Sequence, residues 1–395
     1  MGRISSRLGP IKPSPTLTVT QKAQELRAKG VDVISFSAGE PDFATPPHVV
    51  AACKKALDDG MTRYTPVAGI PALRKAVAEE SARTRNVPCA PSNVVVTAGA
   101  KNALYSFFQA VLDPGDEVIV PAPYWVSYPD QILLAGGKPV IVETRSADGW
   151  VLTPAALKAA ATARTKAVVI NTPSNPTGAI YKDKAAAAIT ECALGLGMWI
   201  VSDEIYRDLV YDGLRHVSPL SLAGEAGRER VFVADGVSKS FAMTGWRIGW
   251  GIGPTDVMKA IDTIQGQSVS NATTMAQVAA AAALTGPRGF LEEWKDQYVE
   301  RRDLMVRCLR AMPGMACEVP RGAFYVLADA SGVIARMGKD ADDIALANLL
   351  LDKARIAVVP GSAFGASGHI RFSYATSREA IEKGLARMAE LLATI

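Results

Sequence analysis

Between residues 94 and 234 the chain repeats one pattern: a short run of β-branched and apolar residues stops, and polar or glycine-rich residues follow at once. VVVT (94–97) precedes AGAKNAL, EVIV (117–120) precedes PAPYW, and AVVI (167–170) precedes NTPSNPTG. WIVSD (199–203) precedes EIY, and VFVA (231–234) precedes DGVSKS. Runs that are apolar at every position mark strands covered on both faces. Between them, AALKAAATA (155–163) and KAAAAITECALGLG (184–197) have helical character. Strands alternating with helices predict an α/β protein with a mostly parallel central sheet flanked by helices. Ligands of such sheets bind beyond the carboxyl ends of the strands, and all five polar segments fall there.

The last hundred residues follow a different pattern. EEWKDQYVERRDLMVRCLRAM (292–312) has the periodicity of a long amphipathic helix. GAFYVLAD (322–329), IAVVPG (356–361) and HIRFSYA (369–375) predict strands of a smaller α+β unit, closed by a helix in REAIEKGLARMAELLATI (378–395). A chain of 395 residues exceeds what one core organises, so two domains are expected. Residues 1–15, with three prolines and two glycines, predict an extended arm.

Composition narrows the function. The net charge is +4, with 49% hydrophobic and 21% charged residues, the profile of an ordinary globular protein with no basic bias toward nucleic acid. His48, His216 and His369 lie far apart without metal-ligand spacing, so a base other than histidine is expected. Five scattered cysteines without a C-x-x-C fit a reducing cytoplasm, with neither disulfide framework nor zinc. No apolar run reaches ~18 residues, so no membrane span is expected. MGRISS matches the myristoylation pattern at Gly2 and Ser6, a short motif, and one acyl chain holds a membrane only marginally.

SKSFAMTGWRIGW (238–250) puts Lys239 and Arg247 among residues that read as buried, where charge is costly. A desolvated lysine amine can form a Schiff base; on a surface loop the same residue only reaches for water. Arg247 suits either a neighbouring cation or a grip on phosphate. Asp203 ends a buried run and wants a cationic partner such as a protonated pyridine nitrogen, though it also suits a helix N-cap. Tyr206 faces the same way if a helical turn follows. AGAKNALYSFF (98–108) opens a helix after a strand, a place where free amides meet anions. Asn175 lies in a turn-rich segment, and Trp125 lies where a flat ring either stacks on a cofactor or fills the core. Together these are the requirements of pyridoxal phosphate, a planar aldehyde that acts as an electron sink.

Seven segments in a fixed order carry a resemblance. They are AGEPDF (38–43), RYTPVAGIPALR (63–74), PYWVSYP (123–129), NTPSNPTGA (171–179), SDEIY (202–206), SKSFAMTGWRIG (238–249) and GHIRFSYATS (368–377). Over nearly its whole length the chain resembles the class I, fold-type I pyridoxal-phosphate aminotransferases, in particular their bacterial aspartate aminotransferase branch. The resemblance implies a large cofactor-binding α/β domain (47–284), a small α+β domain (16–46 with 285–395) and the N-terminal arm (1–15). Lys239 would hold pyridoxal 5'-phosphate and shuttle the proton at Cα. Asp203 would pair with the pyridine nitrogen, Tyr206 and Asn175 with the ring hydroxyl, and Trp125 would stack on the ring. Ser238, Arg247 and the backbone of Ala100 and Lys101 would bind the phosphate, joined by Tyr64 from a neighbouring subunit of a homodimer. Arg371 would clamp the substrate α-carboxylate with the backbone of Gly39.

The same resemblance bears on substrate. Lys101 matches the cation that this branch sets against a second carboxylate, which implies aspartate, glutamate and their 2-oxo acids. Lys12 matches a lysine of the arm that matters where prephenate is aminated, or is a solvated side chain. An aromatic, alanine or kynurenine aminotransferase is the alternative, and Lys101 argues against it. A DNA-binding regulator on this fold would need a further domain, and a dehydrogenase a G-x-G-x-x-G after the first strand; neither is present.

Overall fold

The computed structural model describes residues 4–11, 13 and 15–395. Lys12 and Gly2 therefore lie outside the described residues. Strand β1 is Ile34–Ser35, and six of the next seven strands form a parallel set: β2 Val94–Thr97, β3 Glu117–Ala122, β4 Lys138–Glu143, β5 Thr165–Asn171, β6 Trp199–Asp203 and β7 Val231–Gly236. With β8, Gly249–Ile252, they build a seven-stranded sheet in the order β2-β8-β7-β6-β5-β3-β4. Only β8 runs against its neighbours, β2 and β7. All five apolar runs are strands. Each contributes to two cores at once, because alternate side chains leave opposite faces. Val95, Val118, Val169 and Val201 join one cluster, while Val96, Ile119, Val168 and Ile200 join the other.

The apolar-run criterion misses two of these strands for physical reasons. KPVIVE (138–143) is the sheet edge, half-solvated, with Ile141 still 43% exposed. GWGI (249–252) reads as glycine-rich, yet glycine is required here: a Cβ on Gly249 would come within 2.6 Å of the Gly99 carbonyl carbon. That close approach presses β8 onto the start of the helix Ala100–Val111.

Toward the C-terminus, β9 (Ala316–Cys317), β10 (Tyr325–Asp329), β12 (Val359–Pro360) and β13 (His369–Ser373) form a four-stranded antiparallel sheet in the order β12-β13-β10-β9. Between them β11, Ile356–Ala357, pairs in parallel with β1, which ties residues 34–35 to the C-terminal part of the chain. The predicted amphipathic helix is Phe290–Arg310 and the closing helix Arg378–Leu392. No helix among the described residues is long and apolar enough to cross a membrane.

Candidate active site

The carboxyl ends of β2, β3, β5, β6 and β7 open onto one cavity of about 390 Å³, walled on its other side by residues 37–40, Tyr325 and Arg371. Among the described residues, every one expected at the site lines it except Tyr64. Tyr64 is 87% exposed and stands outside the cavity of its own chain.

Asp203 ends β6 with its side chain turned into the cavity. Its carboxylate accepts hydrogen bonds from the Tyr128 hydroxyl (2.7 Å) and the Ile205 amide (3.2 Å). Among the described residues no cation bonds to it. Burial drives its pKa up to about 6 despite both donors. The sequence signalled the acid but not Tyr128, whose hydroxyl is aimed only once Ser127–Leu134 coils into a helix. A turn over residues 205–208 brings Tyr206 to the same cavity, where its hydroxyl lies 2.8 Å from that of Tyr325. Burial pushes both phenols up, so both hydroxyls keep their protons.

Lys239 is half-buried, and its Nζ donates to the Gly39 carbonyl at 2.6 Å. Burial lowers its pKa to about 8; Glu40 opposes the fall, while Arg247 and Arg371 add to it. Arg247 departs from the sequence reading, since its side chain is exposed at the mouth, at a backbone φ of 54°. Its guanidinium donates to the carbonyls of Thr244 (2.8 Å) and Ala98 (3.2 Å). Gly99 is explained by its φ of 89°, which side-chain-bearing residues rarely adopt, and a Cβ there would also push the guanidinium aside, lying 2.5 Å from Arg247 Nη2. Directly after Gly99 the helix Ala100–Val111 begins, so its first amides, the arginine fork and Ser238 surround one corner of the cavity.

Arg371 is 2% exposed. Its fork donates to Asn175 Oδ1 (3.0 Å) and the Ser37 carbonyl (2.8 Å), and its Nε is buried with no hydrogen-bond partner. It is packed between the rings of Tyr325 and Phe364, 4.4 and 4.9 Å from their centres. On the opposite wall Lys101 Nζ stands 5.1 Å from the Trp125 ring, its pKa lowered by burial and then by Arg247. Glu40, unremarked in the sequence, also lines the cavity and accepts from Thr244 Oγ1 at 2.8 Å.

These groups fit a phosphorylated pyridine aldehyde. The fit comprises a buried acid without a cation, a depressed lysine, an anion corner and an aromatic wall. Fold and site together define a pyridoxal-phosphate enzyme of fold type I. A model of the aminotransferase class I and II family matches residues 31–388, and the chain belongs to that family, whose cofactor is pyridoxal 5'-phosphate. It is 47% identical to a probable aspartate/prephenate aminotransferase of Aquifex aeolicus, covering 99% of both chains. It is 46% identical to an aspartate aminotransferase of Geobacillus stearothermophilus, covering 98% of both. Among solved structures, the aspartate aminotransferase of Thermus thermophilus with maleate superposes with a TM-score of 0.93 at 45% identity, over 99% of this chain and all of the other.

Proposed function

We propose that this aminotransferase moves the amino group between aspartate and 2-oxoglutarate, giving oxaloacetate and glutamate. The observation that carries this reading is the set of cations in the cavity: Lys101, Lys239, Arg247 and Arg371. One amine is needed for the cofactor aldehyde, one guanidinium for its phosphate and one for the α-carboxylate. Lys101 is then left for a second carboxylate. The relatives named aspartate aminotransferase agree with this. Prephenate, whose ring carries a second carboxylate, is a further amino acceptor on the strength of the relatives named aspartate/prephenate aminotransferase.

When bound, the cofactor supplies an electron sink for the carbanion formed at Cα. The protein's residues do the rest. Lys239 would hold the aldehyde, and its amine, made less basic by burial, would move the proton at the substrate Cα. Asp203, once ionised, keeps the ring nitrogen protonated. Tyr206 and Asn175 would donate to the ring oxygen, and Trp125 would cover the ring face. Ser238, Arg247 and the first amides of Ala100–Val111 hold the phosphate. Arg371 orients the α-carboxylate together with Gly39, and its unpartnered Nε is a donor in reserve.

The enzyme works as a cytoplasmic homodimer in which Tyr64 completes the neighbour's phosphate site. Its exposure outside its own cavity supports this. A small unit of residues 16–46 and 285–395 closes over a large unit of residues 47–284, with 1–15 as an arm that includes Lys12. The test is a half-reaction. The pyridoxal form is mixed with aspartate, glutamate, alanine or phenylalanine while its absorbance is followed, and the pyridoxamine form with oxaloacetate, 2-oxoglutarate or prephenate. Fast conversion by the dicarboxylates is expected. Conversion by alanine or phenylalanine alone overturns the substrate reading.

A further inference from the structure

We propose that Tyr325 is a positioning residue that couples the Arg371 carboxylate site to the hydroxyl of Tyr206. Tyr325 opens β10 and is fully buried. Register puts it on the same face as the clamp: Tyr325 pairs with Ser373 and Leu327 with Arg371, so Tyr325 and Arg371 are diagonal neighbours. Its ring centre lies 4.4 Å from the guanidinium carbon, and its hydroxyl 2.8 Å from that of Tyr206. The backbone of Gly39 passes close by: a Cβ added there would sit 3.2 Å from that same hydroxyl.

The inference rests on the role proposed for Tyr206. A phenol has one proton to give. If Tyr206 gives its proton to the cofactor ring oxygen, the bond between the two tyrosines must use the proton of Tyr325. Tyr325 then donates to Tyr206, which strengthens the donation by Tyr206. The cation over the face of the Tyr325 ring makes that phenol the better donor. A substrate carboxylate arriving at Arg371 cancels the cation, weakens both links and raises the proton affinity of the bound cofactor. Binding of the α-carboxylate is thereby sensed at the ring, through the two central strands of the small sheet.

The test is a pH titration of the absorbance of the holoenzyme, with and without succinate, for the native protein, Tyr325→Phe, Tyr325→Leu and Tyr206→Phe. Tyr325→Phe keeps the ring against Arg371, so its succinate affinity should stay within about two-fold of native. The midpoint of its chromophore should rise by about half a pH unit, less than in Tyr206→Phe, and succinate should move it less than in the native enzyme. A Tyr206→Phe shift with none in Tyr325→Phe overturns the relay and leaves the Tyr206 role standing. No shift in Tyr206→Phe removes that role and the relay with it. Equal losses of succinate affinity in Tyr325→Phe and Tyr325→Leu would mean that Tyr325 acts by packing alone, which also overturns the proposal.

Discussion

Asp203→Asn should stabilise the cofactor-free protein while weakening its hold on the cofactor. The carboxyl of Asp203 is raised from 3.8 to about 6 because burial disfavours its charged form and no cation faces it. A folded-state value above the unfolded one means that the native protein binds the extra proton between those two values. Stability is therefore fully present below about pH 4 and is lost as pH rises through about 6. Above that point the ionised group costs the fold up to about 3 kcal/mol, at about 1.4 kcal/mol per pH unit. Asparagine keeps the shape: its Oδ1 can accept from the Ile205 amide and its Nδ2 can donate to the Tyr128 oxygen. The assay is thermal or urea unfolding of the apoprotein at pH 4.5 and pH 8, followed by the same measurement with cofactor. The variant should gain about 1–3 kcal/mol over the native protein at pH 8 and much less at pH 4.5. On adding cofactor it should gain less than the native protein, because the increment falls with affinity. A variant that is destabilised equally at both pH values would refute the reasoning.

Three other outcomes follow from the same geometry. The cofactor-free protein should capture pyridoxal phosphate at a rate that rises with pH through a midpoint near 8, the value to which burial lowers Lys239, and Lys239→Ala should show no capture trappable by borohydride. Lys101→Ser should raise KM for aspartate about ten-fold or more and leave alanine nearly unchanged, since only a second carboxylate meets Lys101; equal losses in steady-state kinetics would move that role elsewhere. Arg85→Met should cost about 3–5 kcal/mol in urea unfolding, because it strips the buried carboxylates of Glu204 (2.7 Å) and Asp235 (3.1 Å) of a shared cation; a loss below about 1 kcal/mol would mean that Arg207 and His216 suffice.

The parallel sheet was legible because strands buried on both faces have no polar positions to disguise them. The site was legible because each such strand ends in residues that make no sense in a core. What stayed hidden was set by tertiary placement. Tyr128 and Tyr325 look like ordinary aromatic positions of a helix and a strand; only the helix Ser127–Leu134 and the β10–β13 register aim their hydroxyls. Arg247 read as buried from its apolar neighbours, but a left-handed backbone turns it out to the mouth. The edge strand β4 and the glycine strand β8 lack the apolar density that marks the others, because one is half-solvated and the other must let a helix start come close.

The end of β6 shows how one fold gives two adjacent acids opposite electrostatics. Side chains alternate along a strand, so Asp203 and Glu204 leave opposite faces. Glu204 turns away from the cavity into a network with Arg85, His216 and the hydroxyls of Ser202 and Ser218. Burial alone would raise it, but Arg85 and His216 prevail and hold it far below the ordinary carboxylate range. Asp203 is equally buried, yet it receives one hydroxyl and one amide and no cation, so burial wins and its pKa rises. The difference is functional. An acid already paired with arginine would gain little from a pyridine nitrogen, whereas an acid left short of a cation can bind one and hold its proton in place. The cations that could have satisfied Asp203 are present in the cavity but face elsewhere, toward Gly39, Thr244 and Asn175. Supplying Asp203 with a fixed partner, as Tyr128→Lys would, should cost cofactor affinity in a cofactor titration, but unlike Asp203→Asn it should not stabilise the apoprotein, because it buries a second charge where Tyr128 is 1% exposed.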